Sequence, residues 1–159
     1  MAKYSTQQIN SRYQFGGVEC GNQLVLHKAF TTLANGAPGD CNTTTQLQIG
    51  DVVNLVRLDA GTLLSDAQLV VSTAFGTGVK ADIGFAYADG VDSTEVPQDA
   101  DYFFAEADLS AAARLRTTTA NAVARLPKAA YLTLTVKGAA IAKVGKADVV
   151  INGEWQGAA

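Results

Sequence analysis

The chain is poor in the residues that most catalytic and metal sites need. Its 159 residues include one histidine, His27, and two cysteines, Cys20 and Cys41. A hydrolase-type site needs a nucleophile beside an oriented base, and near neutral pH that base is usually histidine. No serine or cysteine motif flanks His27, one histidine with two cysteines fits no zinc pattern, and nothing selects a pair of carboxylates for glycoside cleavage. The sequence therefore predicts a protein that is not an enzyme and uses no cofactor.

Charged residues and long apolar runs are also scarce. Charged residues make up 17% of the chain and apolar residues 48%, with a formal net charge of −3. The basic residues form no stripe that could follow phosphates, so nucleic acid is not an expected partner. No run approaches the ~20 apolar residues that cross a bilayer, and the start lacks a signal-peptide run, so we expect no membrane partner and synthesis in the cytoplasm of the host. A surface this short of charge predicts a homo-oligomer, a dimer or a trimer.

The two cysteines are expected to be free thiols. Cytoplasmic chains rarely keep disulfides, and this compartment argument outweighs the alternative that Cys20 and Cys41 pair. Such a pair would close a loop over the first apolar segment of the chain.

What the chain does contain is a series of short strand patterns. Alternating apolar residues or β-rich composition mark residues 24–32, 52–58, 67–75, 79–87, 131–136 and 147–152. In the clearest pattern, one face carries Val79, Ala81, Ile83, Phe85 and Tyr87. Gly76-Thr77-Gly78 predicts a tight antiparallel hairpin between residues 67–75 and 79–87. Seven or eight short strands without alternating helices favour an all-β antiparallel sandwich or barrel.

The two ends of the chain differ in pattern. Residues 1–22 sustain neither a helical nor a strand period and are predicted to be an N-terminal arm, whereas residues 23–159 form a single β-sandwich domain. Tyr4, Tyr13 and Phe15 give the arm aromatic anchors for a partner, although a frayed terminus explains the same pattern equally well. Within the domain, Ser110 is predicted to cap a short helix that ends at Arg116.

An acidic loop runs over residues 89–101 and is the strongest signal for a different function. Calcium prefers several carboxylate and carbonyl oxygens on one flexible loop. The spacing here lacks the alternate ligands, central glycine and final glutamate of an EF-hand, so a solvated loop is the expectation and calcium the alternative. The acidic residues of the loop are Asp89, Asp92, Glu95, Asp99 and Asp101.

The order of features from Asp51 onward resembles the small accessory head proteins of tailed bacteriophages, the decoration or cement proteins. The residues that carry this resemblance read VVNLVRLDAG, AQLVVSTAF, GVKADIGFAYADG, DADYFFAEADLSAA and ADVVINGEW. The resemblance implies a jelly-roll or related β-sandwich in the virion, on the capsid exterior, where it would bind the major capsid protein across the seams between capsomers.

The alternative function is a carbohydrate-binding or adhesive β-sandwich module of a phage tail or head fibre. Such a module would need an exposed aromatic platform. The residues available for it are Tyr102, Phe103, Phe104 and Trp155.

Overall fold

The computed structural model describes residues 3–5 and 22–156, and the described residues form strands and connections only. Their alternating, β-branched patterns give ten strands. These are β1 Lys3–Ser5, β2 Asn22–Thr31, β3 Val52–Leu58, β4 Thr62–Thr73, β5 Lys80–Tyr87, β6 Asp99–Asp108, β7 Ala113–Arg116, β8 Ala124–Arg125, β9 Ala130–Lys137 and β10 Lys146–Trp155. In these ranges no helix is long and apolar enough to cross a membrane.

The strands form two sheets around one apolar core. The first sheet has the order β1-β3-β9-β5-β6, and the second has the order β2-β10-β4-β7 with β8 beside β4. All neighbours are antiparallel except β1, which runs parallel to β3. The prediction of an all-β antiparallel architecture is therefore confirmed, and the two sheets fit a sandwich.

The core takes alternate residues from both sheets. In β5, Ala81, Ile83, Phe85 and Tyr87 are all buried, as the sequence predicts. The second sheet meets them with buried residues of β4 and β10, including Leu69. Each large apolar side chain buried in this way contributes about 1.5–3 kcal/mol to folding.

The predicted hairpin at Gly76-Thr77-Gly78 is wrong. β4 pairs with β10 and β7, whereas β5 pairs with β6 and β9, so the glycine turn connects the two sheets and does not join neighbouring strands. Phe75 is fully buried just before the turn, and its N–H donates to the carbonyl of Leu109. Both strands have an apolar face, and period-2 alternation does not reveal which sheet each strand joins.

The predicted helix from Ser110 to Arg116 is also wrong. Residues 113–116 form β7, which pairs with β4 along its edge. Leu115 packs against the core while Arg114 and Arg116 are exposed, a period of two and not of 3.6. The open backbone groups of β4 and the burial of Leu115 outweigh the modest helix propensity of this segment.

Besides β7, the structure adds three strands that the sequence patterns did not reveal, β1, β6 and the two-residue β8. β1 places residues 3–5 of the predicted arm on the edge of the first sheet, where Tyr4 is opposite Val53. β6 contains Tyr102, Phe103 and Phe104 and pairs with β5 through register shifts. A three-residue strand is too short to show a period, and the bulges of β6 break its alternation.

The strand registers place the connections at opposite ends of the fold. At one end, which we name the neutral end, lie residues 32–51, 74–79, 109–112 and 138–145. At the other, which we name the acidic end, lie residues 59–61, 88–98, 117–123 and 126–129.

Candidate functional site

The single histidine lies on the outer face of the second sheet, at the β2–β10 pair. His27 Nε2 is 2.8 Å from Asp148 Oδ1, and the His27 side chain is 59% exposed. Within the described part of the chain, no serine or cysteine side chain is hydrogen-bonded to the imidazole. The contact with Asp148 is thus a surface hydrogen bond between the two strands.

Cys41, expected to be a free thiol, is buried and free. Burial, helped by the nearby charge of Asp40 and opposed by Lys28, raises the pKa of the Cys41 thiol to about 11. The thiol therefore stays protonated and unreactive at neutral pH. Cys20, its predicted alternative partner, lies outside the described residues.

The carboxylates of the acidic loop make separate local contacts. Asp89 forms an ion pair with Lys128, 2.7 Å from Oδ2 to Nζ, which lowers the pKa of that carboxyl. Asp92 accepts hydrogen bonds from the amides of Ser93 and Gln98. Across residues 3–5 and 22–156, no three His, Cys, Asp or Glu side chains come together as metal ligands. The loop is thus held by its own hydrogen bonds and by Lys128, and nothing in the described residues favours the calcium alternative.

The carboxyls of Asp99 and Asp101 at the start of β6 form a close pair. A hydrogen bond between the two side chains, together with burial and the charge of Asp99, raises the pKa of Asp101. The Asp101 amide also donates to Asp99 Oδ1 at 3.1 Å. Two carboxylates this close do not ionise independently, and they add to the negative field of the acidic end.

A cleft of about 630 Å³ opens beside this pair, between two segments of the acidic end. Residues 95–99 form one wall, residues 121–125 form the other, and Tyr102 lies between them. Tyr102 Oη donates to the carbonyl of Ala122 at 2.6 Å, and Asn121 Nδ2 donates to Asp99 Oδ2 at 3.0 Å. These groups therefore hold the two walls together. This cleft was not predictable from the sequence, because its walls are about 25 residues apart in the chain.

The predicted aromatic platform is not present. Tyr102, Phe103 and Phe104 are all buried, and the Tyr102 ring packs edge-on against Phe85 and Phe103 at 5.4 and 4.8 Å. Trp155 is only partly exposed, at the end of β10. Sugar-binding platforms need exposed ring faces. Tyr102, Phe103 and Phe104 belong instead to the core, so this basis for the carbohydrate-binding alternative is lost.

The predicted partner-binding residues are only partly located. The backbone of Tyr4 lies in β1, which pairs with β3 and is the edge strand of the first sheet. Tyr13 and Phe15 fall outside the described residues. A role for these three aromatics in binding a partner stays a prediction.

Comparison with known proteins gives a fold likeness and no sequence-level match. No protein-family model matches the chain, and no curated protein matches it. In the structure titled "Capsid of Ralstonia phage GP4", a chain with 18% identity aligns with a TM-score of 0.63, covering 99% of this chain and 100% of its own length. In "Cyanophage Pam1 capsid asymmetric unit", a chain with 13% identity aligns with a TM-score of 0.56, covering 91% of this chain and 92% of its own. The protein thus shares its fold with chains of two phage capsid structures.

Proposed function

We propose that the protein is a non-enzymatic structural component of a phage virion, which binds the outside of the capsid and stabilises contacts between major capsid protein subunits. The observation that carries this proposal is the fold likeness, which spans nearly the full length of both the protein and a chain of a phage capsid structure. The decoration-protein resemblance from Asp51 onward supports the same function on independent grounds, because it rests on the sequence.

We also infer that the sandwich is a jelly roll. Apart from β1, the first sheet has the order β3-β9-β5-β6 and the second has the order β2-β10-β4-β7. The chain crosses between sheets after β2, β3 and β4, stays in one sheet from β5 to β6, and crosses again after β6, β8 and β9. This interleaving supports two Greek keys wound around one core, the arrangement found in viral capsid and lectin domains.

The proposed mechanism is binding alone. A capsid under internal pressure fails at its seams, and a subunit that binds only the assembled shell stabilises it by mass action. Many copies bind around the shell, each as a dimer or trimer that makes several modest contacts. The stabilisation of the shell by these contacts adds up, and no catalytic chemistry is needed.

The proposal is tested by adding the purified protein to capsids of its phage that were assembled without it. We expect saturable binding at a fixed number of copies per capsid, together with a higher temperature or a higher pressure of capsid rupture. Capsids that already carry the protein are the control and should bind no more. Failure of the empty capsids to bind it would contradict the proposal.

A further inference from the structure

The two ends of the sandwich carry different charge. In the connections of the neutral end, the solvent-facing charged residues are Asp40 and Lys143, since Asp51 is buried. The connections of the acidic end contain four carboxylates and one lysine, Lys128. Those carboxylates are Asp59, Asp89, Asp92 and Glu95.

The neutral end also exposes large apolar side chains. Leu33, Ile49 and Val144 are 47%, 59% and 53% exposed, and all three lie on its connections. At the acidic end, Val91 and Val123 are exposed to a similar degree. The connection that carries Val91, residues 88–98, also contains three carboxylates. Burying ionised carboxylates against a partner is strongly unfavourable unless each is paired. The neutral end is therefore the end that can be covered at low cost.

Backbone hydrogen bonds fix the connections that carry these side chains. The N–H of Leu47 donates to Gly36 O, and the N–H of Ile141 donates to Leu47 O at 3.1 Å. Beside Leu33, the N–H of Thr32 donates to Gly145 O at 3.0 Å. Gly36 fits so closely that a Cβ would come within 1.8 Å of Ile141 O. A preformed surface loses little entropy on binding, so this end has the rigidity of a docking surface.

The charges of the neutral end indicate what it binds. Asp40 Oδ2 is 3.4 Å from Lys28 Nζ, whereas no carboxylate among the described residues pairs with the exposed Lys143. Lys146, which follows this connection, is also exposed and forms no ion pair with a described residue. An apolar surface with such unpaired cations is complementary to an apolar protein surface that carries a carboxylate. A strongly basic surface would instead favour the acidic end, and a nucleic acid surface would favour neither end.

We propose that the neutral end is the face that docks on the protein shell and that the acidic end faces away from it. This orientation rests on the proposed function, because it presumes a shell to which the protein binds. It assigns Leu33, Ile49 and Val144 as apolar contacts and Lys143 as the charged contact to an acidic residue of the major capsid protein.

The test compares two matched variants in the capsid-binding assay, with wild type alongside. Leu33→Ser, Ile49→Ser and Val144→Ser together should lower the affinity at least about tenfold, because apolar anchors dominate protein interfaces. Val91→Ser combined with Val123→Ser changes similarly exposed positions of the acidic end. This variant should bind within about twofold of the wild-type affinity, as expected for residues outside the contact. Circular dichroism melts identify any variant that has lost its fold.

A second pair of variants reverses one surface charge at each end, so that the test does not depend on replacing several apolar side chains at once. Lys143→Glu should weaken binding, and Glu95→Lys should not. Loss confined to the acidic-end variants, equal loss at both ends, or no loss at either end would overturn the proposed orientation. Wild-type protein that does not bind at all would instead overturn the proposed function.

Discussion

Phe30 and Phe75 stack face to face with ring centroids 5.4 Å apart and planes 16° apart. Phe30 belongs to β2 and Phe75 to the β4–β5 connection, so the stack joins an edge strand to the crossover between sheets. Gly145 packs against the same ring, where a Cβ would come within 2.2 Å of Phe75 Cδ1. The neutral end is thus built around a buried aromatic contact.

Removing this ring should therefore destabilise the protein. We expect Phe75→Ala to lower the free energy of unfolding by about 3–5 kcal/mol, because it leaves a cavity in a fully buried site. Val91→Ala, at an exposed position, should change it by less than about 0.5 kcal/mol. Urea titrations of both variants measure the difference, and similar midpoints would show that Phe75 is not core.

The alternation of β5 gives a second test of the core. Phe85 is buried, whereas the Lys80 side chain is 43% exposed and forms an ion pair with Glu106. We expect Phe85→Ala to cost about 3–5 kcal/mol and Lys80→Ala well under about 1 kcal/mol, as for other surface ion pairs. Equal denaturation midpoints for the two variants would mean that the register of β5 is wrong.

The strand faces and most strand positions could be predicted from the sequence, and the pairing of strands could not. The predicted strand at residues 52–58 is present, and the apolar faces predicted for residues 79–87 and 131–136 are buried, because a strand that packs on a core needs apolar residues at alternate positions. The hairpin prediction failed because residues 67–75 and 79–87 have apolar faces that meet across the core from different sheets. The helix prediction failed because a free edge of β4 stabilises a strand at residues 113–116.

The candidate site was less predictable than the fold. The sequence indicated that no serine or cysteine motif flanks His27, but it did not predict the contact of His27 with Asp148, which is 121 residues away in the chain. It did not reveal that Tyr102 and its two neighbours are core, because a strand of irregular register hides which face each residue occupies. The contrast between the neutral and acidic ends depends on which connections the strand order brings together.

The stability of the protein should depend on pH through Asp66. Burial opposes the shift, but the Thr117 hydroxyl, the Ala67 amide and the Arg116 guanidinium hold the pKa of Asp66 below its usual value. A carboxyl whose pKa is lower in the folded state than in the unfolded state stabilises the protein at pH values above its unfolded-state pKa. This contribution is lost as the pH falls through the folded-state pKa. Asp66→Asn should therefore cost about 1 kcal/mol at pH 7, and the difference from wild type should shrink below about pH 4.

Asp101 provides a control of opposite sign. The hydrogen bond to Asp99 raises the pKa of Asp101. The contribution of Asp101 to stability is therefore present at pH values below its unfolded-state pKa and is lost as the pH rises through its folded-state pKa. Asp101→Asn should not destabilise the protein at pH 7. Thermal melts of wild type and both variants between pH 3 and pH 7 measure these effects, and a pH-independent loss in Asp66→Asn would contradict the assignment.

The N-terminal segment should contribute more to capsid binding than to folding. Replacing Tyr4, Tyr13 and Phe15 by alanine leaves the backbone pairing of β1 with β3 available, so the melting temperature should change little. Capsid occupancy should fall, because the variant lacks the aromatic anchors. Replacing Gln7, Gln8 and Asn10 by alanine is the control; occupancy equal to wild type in both variants would show that the aromatics bind no partner.

The central claim, that this protein is part of a phage capsid and covers its outside, is tested most directly by a cryo-EM map of the phage particle that contains it. The account predicts density for a two-sheet β-fold on the outer surface of the shell, at the seams between major capsid protein subunits, into which β2 to β10 fit as a rigid body. A particle whose outer surface lacks such density, or a map that places the fold inside the shell, would contradict the account.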